Sequence, residues 1–418
     1  MTDRRMMPIT AIVASLLALP TMVALSGCGS PDAKFVRYEV FVKFMEKSTG
    51  DADFSISGQQ KQDVDTSLQA LYGTPDEPRV PVLPEIDTAT TLDIDLLKLA
   101  AGRVGSDETG RPRGLYREHC AHCHGITGDG AGPTASFLNP YPRDYRPGKF
   151  KFKSTPIGQR PTHADLKKVL LEGIPGTAMP SFRLLSDQEV ESLVHYVKYL
   201  SIRGETERQL YYATVNELEE NARLIDPTSA KEGSPEAVKQ QEQLALLKDK
   251  AKTVFEGWQT AGEKVTEVPL RPTMSDEQLA ESRKVGRQLF FGSVANCFSC
   301  HGPTALGDGQ LTDYDQWTLE FITKTPTEEL IDEYVSVGMH PPRNIRPRNL
   351  RHGVYRGGMR PVDLFWRIKN GIEGSPMPGN DKLTSEQIWH LVNYVQSLPY
   401  EQISDPHQAQ PDNQRERM

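Results

Sequence analysis

Cys120-Ala121-His122-Cys123-His124 and Cys297-Phe298-Ser299-Cys300-His301 decide how the rest of this 418-residue chain is read. Each sets two cysteines with two residues between them and a histidine directly behind the second. Downstream of the first stands Gly173-Ile174-Pro175-Gly176-Thr177-Ala178-Met179-Pro180, and downstream of the second Gly371-Ile372-Glu373-Gly374-Ser375-Pro376-Met377-Pro378. The shared skeleton is Gly-Ile-x-Gly-(Thr/Ser)-x-Met-Pro. Arg143-Asp144-Tyr145-Arg146-Pro147-Gly148-Lys149-Phe150 parallels Arg348-Asn349-Leu350-Arg351-His352-Gly353-Val354-Tyr355. Asp165-Leu166 leads to Met179 over the interval by which Asp363-Leu364 leads to Met377. Behind each Met, Ser186 with Glu189 and Thr384 with Gln387 have capping-box spacing. Helices follow, with Val190, Leu193, Val194 and Val197, or Ile388, Leu391, Val392 and Val395, on one face. Internal repetition outranks local propensity as a guide to architecture, and it predicts two copies of one small helical unit.

Chemistry explains the cysteine spacing. Two thiols on adjacent turns reach two vinyl groups of one porphyrin, and the next histidine points its imidazole at the iron, so Cys-x-x-Cys-His is the pattern of covalent haem attachment. A zinc site or a redox dithiol would account for one such motif, but not for two followed by matching loops. Cys120, Cys123, Cys297 and Cys300 are expected to form thioethers, with His124 and His301 as axial ligands. A Met thioether on the other side of the iron raises its potential, and Met179 and Met377, on loops held by Gly and Pro, are the expected second ligands. His122 is read as exposed, and the other histidines, which lack a repeated counterpart, as structural or surface groups. Arg143, Arg146, Arg348 and Arg351 have two readings, partners of haem propionates or surface charges. A buried cofactor also accounts for a hydrophobic content of only 37%.

The whole pattern resembles tandem class I cytochrome c domains, as in bacterial dihaem cytochromes, over roughly residues 103–201 and 283–399. The resemblance implies a mainly α fold of two class I cytochrome c-like domains, here separated by a helical insert. It implies an aromatic residue on the helix before the haem cysteines. Tyr116 stands there, and Phe290 lies three residues further upstream in the second copy. It also implies a Pro carbonyl accepting from the proximal histidine. Pro133 takes that place in the first copy, whereas Thr312 aligns there in the second.

The N-terminus reads as an address. Arg4 and Arg5 precede an apolar run from Ile9 to Leu25, the n-region and h-region of an export signal. The run ends in Leu25-Ser26-Gly27-Cys28, which resembles a bacterial lipobox with Cys28 as the lipidated residue. The other reading is an uncleaved membrane anchor, although the run is at the short end for a span. Arg4-Arg5 is also a weak twin-arginine signal. Either way the bulk of the chain lies outside the cytoplasm. Residues 1–28 are thus expected to be a signal peptide and residues 29–102 an acidic segment and stalk. Residues 202–282 form the insert and residues 400–418 a polar tail. In the insert, Tyr211, Val215, Leu218, Ala222 and Ile225, then Leu244, Leu247, Ala251, Val254 and Trp258, have helical spacing across a breaker containing Pro227 and Pro235. This predicts an antiparallel hairpin, or else two helices packed separately on the flanking domains. Gln59 to Leu71 reads as a helix ending at Gly73, and Phe35 to Met45 as helix or strand.

A net charge of −8 without a basic stripe excludes a nucleic-acid binder. Gly128-Asp129-Gly130-Ala131-Gly132 is no phosphate loop, since no Lys-Ser/Thr follows it. No Ser-His-Asp set is present, and with every cysteine assigned, no structural disulfide is expected. The expected function is that of a lipid-anchored electron carrier on the periplasmic or extracytoplasmic face of a membrane. Two covalent haem c groups would exchange electrons with redox proteins of a respiratory chain. The alternatives are a dihaem cytochrome c peroxidase, in which one iron must open to peroxide, and a haem subunit of a dehydrogenase.

Overall fold

The computed structural model describes residues 32–219, 222–226, 231–314, 316–322 and 325–401. The expected signal peptide, Cys28 and nearly all of the polar tail lie outside them. The described residues form fourteen α-helices and one two-stranded antiparallel sheet, Gly105–Ser106 with Pro112–Arg113. None of these helices is long and apolar enough to cross a membrane.

The segment before the first cysteine motif is folded, not a stalk. Helices α1 (Glu39–Ser48), α2 (Gly58–Tyr72) and α3 (Ile94–Ala100) join one apolar cluster with the first repeat. α2 opens on a Ser57/Gln60 capping box and stops at Gly73, whose φ of 73° suits glycine. The acidic residues that suggested a stalk are paired instead. Asp65 holds Arg37, and buried Asp63 holds Arg223 of the insert.

Helices α4 (Leu115–His119) and α5 (Ala121–His124) carry the first cysteine motif, and α6 (His163–Glu172) precedes the first Met loop. The expected end of the first unit, residue 201, falls inside a single helix. α7 runs from Asp187 to Asn216, 30 residues, or about 45 Å at 1.5 Å per residue. Its second half is buried by the N-terminal segment: Tyr72 Oη pairs with Thr206 at 2.7 Å, and Tyr38 N donates to Glu207 at 2.7 Å. Gly204 lets the backbone of Arg146 approach, where a Cβ would lie 2.3 Å from the Arg146 Cα. α8 (Pro235–Gln259) packs antiparallel on this extension, with Trp258 donating to Glu205 and Lys250 meeting Glu217. The insert is therefore a hairpin whose first arm is the continued helix of the first repeat.

In the second repeat, α9 (Asp276–Phe291) crosses α14 (Ser385–Ser397) at Gly286. Between them come α10 (Phe298–His301) and α13 (Pro361–Asn370), with an apolar cluster of their own. A long excursion leaves this unit. α11 (Gln316–Phe321) and α12 (Glu328–Ser336) cross to the first half, where Phe321 meets Tyr38 and Phe44 at ring distances of 6.2 and 5.7 Å. Glu320 pairs with both Lys149 and Arg208, and Glu333 with Lys43 and Lys47.

One titratable contact in this packing is testable. The Asp93 N–H, at the start of α3, donates to His195 Nδ1 on α7 at 3.1 Å. Burial, with the Lys198 charge second, lowers the His195 imidazole from 6.5 to about 4. The unfolded chain therefore binds the extra proton between these values. The stabilisation from neutral His195 is complete above pH 6.5 and is lost as pH falls toward 4. Urea midpoints of wild type should drop between neutral and mildly acidic pH. His195→Gln, which keeps an acceptor for Asp93, should lose part of that drop. An unchanged acid dependence in the variant would refute the assignment.

Candidate haem-binding sites

Each cysteine motif sits on one short helical turn that aims its histidine inward. His124 Nδ1 lies 2.9 Å from the Arg143 carbonyl, and His301 Nδ1 lies 3.0 Å from the Arg348 carbonyl. An N–H on Nδ1 donates to that oxygen and leaves the Nε2 lone pair free to ligate. Burial keeps both rings neutral, lowering His124 to about 4 and moving His301 in the same direction. Pro133, the expected acceptor in the first copy, does not fill this role. A backbone oxygen carries no side-chain signature, but both true acceptors open the repeated Arg-x-x-Arg segment. Tyr145 stacks on His124 at 4.7 Å, and Tyr116 packs on Tyr196 of α7 at 4.8 Å, as Phe290 does on Tyr394 at 5.5 Å.

The two Met loops share one internal bonding pattern. Ile174 N donates to Met179 O at 3.1 Å, and Ile372 N to Met377 O at 3.0 Å. The hydroxyls of Thr177 and Ser375 donate to the Ile carbonyls at 2.7 and 2.8 Å and accept from the Met N–H groups at 3.1 and 3.4 Å. That dual role explains the Thr/Ser of the skeleton.

Cys120, Cys123, His124 and Met179 line one cavity of about 250 Å³, walled by Tyr145, Leu170, Ile174, Phe182, Val194 and Val197. None of the four motif cysteines is tied up in a disulfide. Burial pushes Cys120 and Cys297 up to about 12, so both are protonated. Arg143 also lines the cavity, and so does Arg356, from the other repeat. Arg356 Nε is buried and has no hydrogen-bond partner. A neutral imidazole, a thioether, two cysteines outside any disulfide, apolar walls and a rim arginine with an unpaired buried Nε fit a haem with acidic substituents.

Two of the arginines expected at propionates are used elsewhere. Arg146 is buried in a fork-like pair with Asp144, beneath the Tyr38 ring at 3.8 Å. Arg351 binds the carbonyls of Thr304 and Leu398 and the Glu401 carboxylate. Both are structural because a buried guanidinium needs several acceptors. Arg356 stands one place past the repeated segment, opposite Lys151 of the first copy, which lines the same cavity.

Residues 107–197 match the family described as cytochrome c oxidase, cbb3-type, subunit III, and residues 284–399 match the family described as cytochrome c. The chain carries two cytochrome c domains in tandem. Such domains bind haem and transfer electrons. No curated protein matches the chain. Among solved structures, a chain of the Kuenenia stuttgartiensis reducing HAO-like protein complex is 24% identical over 68% of this chain and 94% of its own, with a TM-score of 0.43.

One further cluster lies outside this cavity. His163, Glu191 and His195 bring possible ligand atoms within 4.8 Å of one another. The Asp93 N–H occupies His195 Nδ1, which puts the neutral ring's proton on Nε2, and Lys167 and His163 hold Glu191. These bonds make it a hydrogen-bonded cluster rather than a metal centre.

Proposed function

We propose that this dihaem cytochrome is an exported electron carrier, held at a membrane by lipid on Cys28 and exchanging electrons with respiratory redox proteins outside the cytoplasm. The observation that carries the reading is the duplicate frame of neutral histidine and bonded Met loop. Cys120 and Cys123, with Cys297 and Cys300, would hold two haem c groups. His124 with Met179, and His301 with Met377, would be the axial pairs. Bound haem supplies one-electron iron chemistry, and the chain sets its potential and access. With His124 and Met179, and His301 and Met377, as ligands, neither iron would be open to peroxide, which favours a carrier over a peroxidase. The first domain's match to an oxidase subunit fits a carrier that docks to a larger complex.

The test of the anchor is Cys28→Ala. Buried acyl chains contribute about 0.8 kcal/mol per CH₂, and two anchoring signals suffice for stable attachment. Wild type should stay with membranes through a high-salt wash, and the variant should appear in the soluble fraction with both haems stained. A variant that remains salt-resistant on membranes would rule out the lipid.

A further inference from the structure

One residue of the second domain, Arg356, reaches the rim of the first cavity. Arg356 lines it together with Cys120, Cys123, His124 and Met179. Its Nη2 donates to the carbonyl of Gly176, in the first Met loop, at 3.3 Å. The Arg348 guanidinium fills the space beside the same glycine, where a Cβ would lie 2.4 Å from Nη2. The relation is reciprocal, since a Cβ on Gly374 in the second Met loop would lie 3.1 Å from Arg143 Nη1. The docking that brings these groups together is firm. Buried Lys153 meets buried Glu373 at 2.5 Å, Lys168 pairs with buried Asp363, and Asn370 donates to the Ser154 carbonyl at 3.1 Å.

Two guanidiniums at one loop repel each other, and partial burial deepens the cost. Neither Arg348 nor Arg356 has a carboxylate partner among the described residues; they donate instead to the carbonyls of Val354 and Gly176. Burial, with Arg348 second, lowers the affinity of Arg356 for its proton. Its buried Nε has no acceptor. An anion at the rim of the first cavity would remove all three penalties, and guanidinium matches carboxylate geometry.

We propose that Arg356 and Arg348 of the second domain bind the propionates of the first haem, so that the first site is complete only when the two domains are docked. The inference rests on the haem reading above. These are binding and positioning residues that act across the domain boundary, and they tie the potential of one haem to the seat of the other domain.

The test uses the full chain with both haems. Arg356→Gln, Arg348→Gln and Arg356→Lys are titrated by absorbance and electron paramagnetic resonance, with the first haem identified in a Met179→His background. Removing a cation beside the propionates disfavours the ferrous state. Arg356→Gln should shift the first haem about tenfold toward ferric, a fall of about 59 mV for one electron. Its potential should also gain pH dependence, because the freed propionates become easier to protonate. The second haem should move less, and Arg356→Lys should stay near wild type. If the first haem keeps its potential and pH profile in both Gln variants, or the second haem moves instead, the inference is overturned. Absence of covalent haem at Cys120 and Cys123 in wild type is a separate result, and it would overturn the haem reading as well.

Discussion

Gly286→Val should unfold the second cytochrome domain while leaving the first largely intact. At Gly286 a Cβ would lie 2.1 Å from the His390 carbonyl oxygen and 2.7 Å from the Tyr394 Cβ. The clash is with backbone, so relief requires α9 and α14 to separate. Their crossing is also bonded by Ser282, which pairs with His390 at 2.7 Å and accepts from Asn393 at 2.8 Å. Overpacking of this kind costs about 3 kcal/mol or more. The control is Gly58→Ala, where an added Cβ meets nothing within 4 Å. Urea unfolding followed by absorbance at both haems should show an early transition for one haem in Gly286→Val only. Coincident transitions in Gly286→Val and the control would contradict the packing argument.

The second large effect is on redox potential. Met179→His and Met377→His each replace a thioether, which favours ferrous iron, with an imidazole, which favours it less. Each should lower one potential by well over the ~59 mV that corresponds to tenfold in a one-electron equilibrium. The other haem should keep its value. Wild type should show two low-spin ferric signals. A high-spin ferric haem with fast peroxide turnover would exclude the carrier reading and support the peroxidase.

Much of the haem frame was legible because its residues do jobs that only certain side chains can do. Gly173 and Gly371 sit at φ of 66° and 76°, and Thr177 and Ser375 each bond in both directions within six residues. Such short-range geometry leaves a pattern in one sequence. The histidine acceptors left none, since any residue offers a carbonyl. α7 passed its expected end because Ile202 to Asn216 contains no breaker stronger than Gly204, which is buried against Arg146. The N-terminal segment folds because Phe35, Tyr38, Phe41 and Phe44, interleaved with Arg37, Glu39 and Lys43, form an aromatic stripe that joins the core of the first half. Part of its cover, Phe321, lies in the second half of the chain.

That partner sets an order on how the chain is made. Lys47 and Glu333 are bonded across 286 positions, and Phe321 packs on buried Tyr38 and half-buried Phe44. At roughly 5–20 residues per second of synthesis, the rings of α1 wait on the order of 15 to 60 s for their cover. Through that interval a nascent first domain presents a sticky aromatic face to its surroundings. A ribosome stalled before residue 316 would release a product with that face still bare, a ready substrate for chaperones and proteases.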